Sequence, residues 1–171
     1  LLDAGINKMK IPSGEVSNIP LLEYIASKKV EVILSSGMSS WKELDLAVSI
    51  LKKCPKLSVL QCTSEYPCMP NKVGLNILTD MKKRYKIDIG FSDHTIGVVA
   101  PIIAVTMGAK IIEKHFTLSK AMYGSDAKNS TEPDEFKFLV DSIRDAEKML
   151  NNNINKDEIV NKMGKMKLIF Q

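Results

Sequence analysis

Five times along the chain a short β-rich run gives way to an amphipathic segment, at a period of about 25 residues. The runs are NKMKIP (7–12), VEVILSS (30–36), LSVLQCT (57–63), IDIGFS (87–92) and AKIIEKHF (109–116). Between and after them lie PLLEYIASKK (20–29), SWKELDLAVSILKK (40–53), LNILTDMKKRY (75–85), VVAPIIAVTMG (98–108) and EPDEFKFLVDSIRDAEKML (132–150), with apolar residues three and four apart. Such an alternation predicts parallel strands covered by helices. Ser40 is the expected N-cap of the second helix. Pro101 belongs in a first turn or at a kink. The segment around it is so apolar that it should be largely buried, and the last helix opens with acids, as the helix dipole favours.

A polar cluster follows each strand: SGE, SSGM, TSEYP, SDHT and KHFT. No glycine-rich dinucleotide fingerprint follows any of them, which argues against a Rossmann domain. Polar residues at the C-terminal end of strand after strand point to the active face of a (β/α)8 TIM barrel. Five units do not close eight strands, so the chain reads as an incomplete barrel covering strands 4 to 8. Residues 1–150 then form the partial barrel domain, and 151–171 a polar, irregular, truncated segment. An open sheet of this kind leaves two exposed edges and an uncovered apolar inner face, and is expected to associate unless another chain supplies the missing strands.

Composition narrows the partners. Apolar residues make up 44% and charged residues 26% of the 171, ordinary for a globular protein. The net charge of +4 comes from interleaved lysines and acids. The basic tract MKKRYK (81–86) reads as a solvated helix end, since no aromatic platform or arginine cluster accompanies it; nucleic acid is not expected. No apolar run reaches membrane-spanning length and no signal peptide opens the chain. Three cysteines, Cys54, Cys62 and Cys68, lack zinc-site spacing and suit a reduced, cytoplasmic compartment. The sequon NST (129–131) is read as chance.

Three groups carry chemistry. Lys10 at a strand end is an anion contact, a Schiff-base lysine or a surface lysine; Ser13 and Gly14 beside it offer donors at the turn. Cys62 is a nucleophile or, preferably, a small buried hydrophobe. His94 and His115 are the only histidines. Each ends a strand, each has an acid close by (Asp93 and Glu113), and two imidazoles on neighbouring strand ends reach one divalent ion. Two protein nitrogens leave positions open for a substrate oxygen. Each histidine is alternatively a structural, hydrogen-bonded one.

The motifs KIPSGE, ILSSGM, QCTSEYP, GFSDHT, IEKHFTL and GSD, in this order, resemble those of the sialic acid synthase family, which includes legionaminic and pseudaminic acid synthases; the likeness runs from about Lys8 to Leu150. That resemblance implies condensation of phosphoenolpyruvate with N-acetylmannosamine or a related amino sugar. His94 and His115 correspond to the family's metal ligands, with Mn2+ the usual ion and Mg2+ or Co2+ alternatives. The ion polarises the sugar's aldehyde, the methylene carbon of phosphoenolpyruvate attacks it, water adds at C2, and phosphate leaves by C–O cleavage. Lys10, Ser13, Ser35, Ser64 and Ser92 fall where the family holds phosphoenolpyruvate; Glu15, Tyr66 and Asp126 fall where it orients the sugar. Glu113 is a candidate to handle protons, so Glu15, Glu113, His94 and His115 form the expected catalytic set. A cytoplasmic homodimer is implied. Contacts from the family's first three strands and from its small antifreeze-like C-terminal domain have no counterpart here. The family's GPDH appears as GSDA, with Ala127 replacing a common histidine. A deoxy-octulosonate phosphate-type synthase, and a non-catalytic remnant or interaction module of the same fold, are the alternatives. The fragment by itself is expected to be inactive.

Overall fold

The computed structural model describes residues 5–167 and residue 169. Strands β1 (Lys8–Ile11), β2 (Glu31–Ser35), β3 (Leu57–Cys62), β4 (Asp88–Asp93) and β5 (Ile112–Lys114) alternate with helices α1 (Ile19–Ser27), α2 (Trp41–Leu51), α3 (Asn76–Tyr85), α4 (Val99–Thr106) and α5 (Pro133–Asn151). All four strand pairings are parallel, and the strands lie in chain order. Order without reversal is the winding of a barrel, not of a doubly wound sheet.

Local chemistry sets the helix ends. Ser40 caps α2 in a box with Glu43, whose carboxylate accepts from the Ser40 amide at 2.8 Å. Asn18 accepts from the Leu21 amide at the start of α1. The basic tract falls in the last turn of α3, where Lys82, Lys83 and Arg84 complement the carbonyl end of the helix. Pro101 occupies the third position of α4, within the first turn, where a missing N–H costs nothing. The region 151–171, expected to be irregular, carries two short helices among its described residues, α6 (Lys156–Lys162) and α7 (Gly164–Lys167).

The sheet has two unlike faces. Ile11, Val32, Leu34, Val59, Ile89 and Phe91 pack with Leu22, Leu44, Leu51, Leu78 and Met81 of the helices into one buried core. Alternate residues point the other way: Lys8, Lys10, Glu31, Ser35, Ser58, Asp88, Ser92 and Glu113, with Ile33, Leu60 and Cys62 as the apolar members. The expectation of an apolar inner face is therefore corrected: that face is mostly polar, because strand after strand alternates charged or hydroxyl residues with core residues. Segment 98–108 also departs from expectation. Only Pro101 and Ala104 of α4 are buried, while Val99 is 67% exposed. The helix rests on β4 and α5, and its remaining stripe has no cover among the described residues.

The sheet curls toward its polar face. Gly90 sits where the strands approach closely: a Cβ there would lie 2.4 Å from Leu60 Cδ2 and 2.5 Å from the Ile111 carbonyl oxygen. The backbone oxygen cannot yield without moving β5. Gly90→Ala is expected to destabilise the fold by on the order of 1–3 kcal/mol, seen as a lowered urea midpoint; an unchanged midpoint contradicts this packing.

Candidate active site

β4 and β5 share a last rung, Asp93 opposite Lys114. His94 and His115 are the next residues on each strand, and their rings come to 5.3 Å between centroids. Tyr66, from the loop after β3, lies 4.1 Å from the His94 ring and meets His115 edge-on at 5.6 Å. The expected histidine pair is thus brought together, with Tyr66 as its wall.

The hydrogen bonds define which nitrogen is available. His94 Nδ1 is 2.7 Å from the Thr63 carbonyl oxygen. A carbonyl only accepts, so Nδ1 carries the proton and Nε2 keeps its lone pair. His115 Nδ1 faces Asp126 Oδ2 at 3.8 Å. The backbone of His115 is held in turn, its carbonyl accepting from the amide of Thr131 at 2.8 Å and from the Thr131 hydroxyl at 2.7 Å. Burial pushes the pKa of His94 below the ordinary imidazole value; the Thr63 carbonyl opposes this, and the His115 ring adds to it.

The acids next to the histidines in sequence do not orient them. Asp93 turns to the helix side, where it accepts from Lys114 Nζ at 2.5 Å and from the Thr95 amide at 2.8 Å. Glu113 accepts from Ser92 Oγ at 2.7 Å and from Lys10 Nζ at 2.9 Å. The partners of the imidazoles are instead a backbone carbonyl and Asp126, because the pleat sends residue 93 away from residue 94 and residue 113 toward Lys10.

Lys10 stands on β1 and Glu113 on β5, so their ion pair crosses the concave face. A lysine so paired is a binding cation and not a desolvated amine, which disfavours the Schiff-base reading. Beside it the turns after β1, β2 and β3 converge. Ser13 Oγ and Ser64 Oγ are 3.4 Å apart, and Gly37 fits between them. A Cβ on Gly37 would lie 2.3 Å from Ser13 Cβ and 2.7 Å from Ser64 Oγ. Ser35 ends β2 with its hydroxyl buried and without a partner among the described residues. Glu15 stands apart: its carboxylate accepts from Asn18 Nδ2 at 2.6 Å. Cys62 is buried with its thiol pKa pushed up by burial, as a structural cysteine.

Two groups here escape residue-type reasoning. Thr63 acts through its carbonyl, which every residue possesses, so no sequence signal marks it. Gly37 is visible as the glycine of SSGM, but only the approach of Ser13 and Ser64 shows why it must be glycine.

Parallel strands in chain order, with polar side chains gathered at their C-terminal ends, define a half-barrel of the (β/α)8 class with its site on the usual face. The chain belongs to the NeuB family, whose model matches residues 1–155. It is 41% identical over 162 residues to the N,N'-diacetyllegionaminic acid synthase of Legionella pneumophila, a match covering 91% of this chain and 46% of that protein. It is 39% identical over 145 residues to the N-acetylneuraminate-9-phosphate synthase of Homo sapiens, covering 84% and 40%. The chain therefore spans less than half the length of these relatives. A solved N-acetylneuraminic acid synthetase from Leptospira borgpetersenii, in complex with citrate, superposes with a TM-score of 0.87 at 35% identity, covering 98% of this chain and 61% of that one.

The metal-free protein is expected to show His94 titrating below the usual value of about 6.5. In that window the unfolded chain binds the proton more readily than the folded one. Stability is then full above the unfolded pKa and falls as pH drops toward the folded value. An NMR titration of the ring checks this; a midpoint at or above the usual value contradicts it.

Proposed function

We propose that the chain carries strands 4 to 8 of a sialic-acid-type synthase barrel. The whole barrel condenses phosphoenolpyruvate with N-acetylmannosamine or a related amino sugar to a nonulosonic acid, releasing phosphate. The observation that carries this is the imidazole pair, with His94 held by Thr63 so that Nε2 stays unprotonated beside His115. Family membership supports the same reading.

A divalent cation fits these residues: Mn2+ by likeness to the family, with Mg2+ or Co2+ as alternatives. Among the described residues no group of three His, Cys, Asp or Glu is placed to hold one. The chain would thus supply the two histidine nitrogens and leave the other positions to oxygen donors. When bound, the ion supplies Lewis acidity toward a carbonyl. Asp126 turns the His115 ring and stands where a sugar hydroxyl is oriented, and Tyr66 closes that side.

Lys10 and the hydroxyls of Ser13, Ser35, Ser64 and Ser92 hold phosphoenolpyruvate. An arriving anion competes with Glu113 for the Lys10 ammonium, and the buried Ser35 hydroxyl gains the partner it lacks. The methylene carbon bonds to the aldehyde carbon as the C=O π pair moves to oxygen, which takes a proton to become a hydroxyl, and water then adds at C2. Glu113 takes the proton of that water once Lys10 has turned to the substrate, and the C–O bond to phosphate then breaks. Glu15 is the sugar-side acid furthest from this cluster in its contacts, and its role requires release from Asn18.

The free, buried state of all three cysteines supports a cytoplasmic setting, and no helix among the described residues is long and apolar enough to cross a membrane. A homodimer is inferred from the family likeness alone. A second reading, a non-catalytic interaction module, is favoured by the sheet edges at β1 and β5, which pair with no further strand among the described residues.

Phosphate release from phosphoenolpyruvate plus N-acetylmannosamine and Mn2+, against a chelated control, tests the proposal. The chain by itself is expected to release none. Co-expression with a polypeptide supplying the first three strands of a family member is expected to give metal-dependent release. A reconstituted barrel that stays inactive with this and other N-acetylated amino sugars favours the interaction module. Gly37→Ala in the active assembly is expected to raise KM for phosphoenolpyruvate at least about ten-fold, since the added methyl occupies the space between Ser13 and Ser64; an unchanged KM removes that turn from the site.

A further inference from the structure

We propose that Lys114 is a positioning residue for the imidazole pair, acting through Asp93 and Thr95; the inference rests on the reading of His94 and His115 as the working pair. Lys114 Nζ is 2.5 Å from Asp93 Oδ2 and 2.6 Å from the Thr95 carbonyl oxygen. The other carboxylate oxygen of Asp93 accepts from the Thr95 amide at 2.8 Å. One ammonium therefore grips the residues on both sides of His94. The same lysine immediately precedes His115 and sits opposite Asp93 in the sheet register. The ion pair bolts β4 to β5 at the last rung before both histidines.

Its burial sets it apart from the other ion pairs. The side chains of Lys114 and Asp93 are 2% and 0% exposed, whereas the charges of Lys10 and Glu113 are each about one-third exposed. A buried pair costs desolvation that well-packed apolar residues at the same place would avoid. What apolar residues could not do is fix the direction of the chain on both sides of His94 through three directional hydrogen bonds. The pleat puts this pair on the helix side and the imidazoles on the concave side, so Lys114 stands across the sheet from the imidazole site. It sets the strand ends so that His94 Nδ1 meets the Thr63 carbonyl and Nε2 faces the site.

Two variants separate positioning from mere stability. Lys114→Met alone leaves a buried carboxylate unpaired, so it is combined with Asp93→Asn, which removes both charges at nearly constant volume and preserves the fold. The single change Asp93→Asn leaves the Lys114 ammonium buried without its counter-charge, so it is the harsher companion for stability, and it is expected to move the same readouts while Lys114 keeps its bond to the Thr95 carbonyl. Long-range 1H–15N NMR of the ring nitrogens is expected to show one His94 tautomer, Nδ1–H, in the parent chain and a mixture in the double variant. Mn2+ affinity followed by EPR is expected to fall about 10- to 100-fold. A purely structural pair would lower the thermal midpoint yet leave the tautomer and the Mn2+ affinity of the folded fraction within about two-fold of the parent, and that result in either variant overturns the proposal. A parent chain that binds no Mn2+ sinks the metal-site reading instead, and the tautomer comparison still decides the role of Lys114.

Discussion

The curl of the sheet is the constraint on which the site depends. β1 and β5 are separated by four inter-strand steps, roughly 19 Å on a flat sheet at about 4.8 Å each. A lysine and a glutamate cannot bridge that span, yet Lys10 and Glu113 are 2.9 Å apart. The ion pair reports the curl and does not cause it, since a pair this exposed contributes at most about 1 kcal/mol. The causes lie in the right-handed twist of adjacent parallel strands, in helices that load only one face, and in Gly90, which lets Leu60 and the Ile111 carbonyl close in.

Two faces of one sheet divide the labour between stability and chemistry. The helix side buries aliphatic and aromatic residues and, among the described residues, admits one fully buried charged pair, Lys114 with Asp93. The concave side carries lysines, acids and hydroxyls that contact one another across strands and turns. The chain spans less than half the length of the relatives it matches.

Much of this was legible because it is local. Strand positions followed from β-rich runs, the α2 cap from Ser40, and the end of α3 from its basic residues. Burial was less legible. The sequence 98–108 is apolar around most of its circumference, but burial requires neighbours, and α4 packs chiefly on β4 and α5. The partners of the histidines were least legible: Asp93 precedes His94 and Glu113 lies two residues before His115, while Thr63 and Asp126 reach them through space.

By itself the sequence determined a parallel sheet of five βα units, the face that carries polar strand ends, and the family to which those motifs belong. These are properties of periodicity and residue type, decided within a few positions of each side chain. Only the tertiary structure decided that Lys10 spans to Glu113, that Gly37 is hemmed by Ser13 and Ser64, that a carbonyl sets the tautomer of His94, and that Lys114 belongs to the fold side of its strand. Each of these joins residues from different strands or turns, most of them tens of positions apart in the chain. The pleat is local to each strand, but the meeting of these residues also needs the sheet's curl, which no single segment encodes.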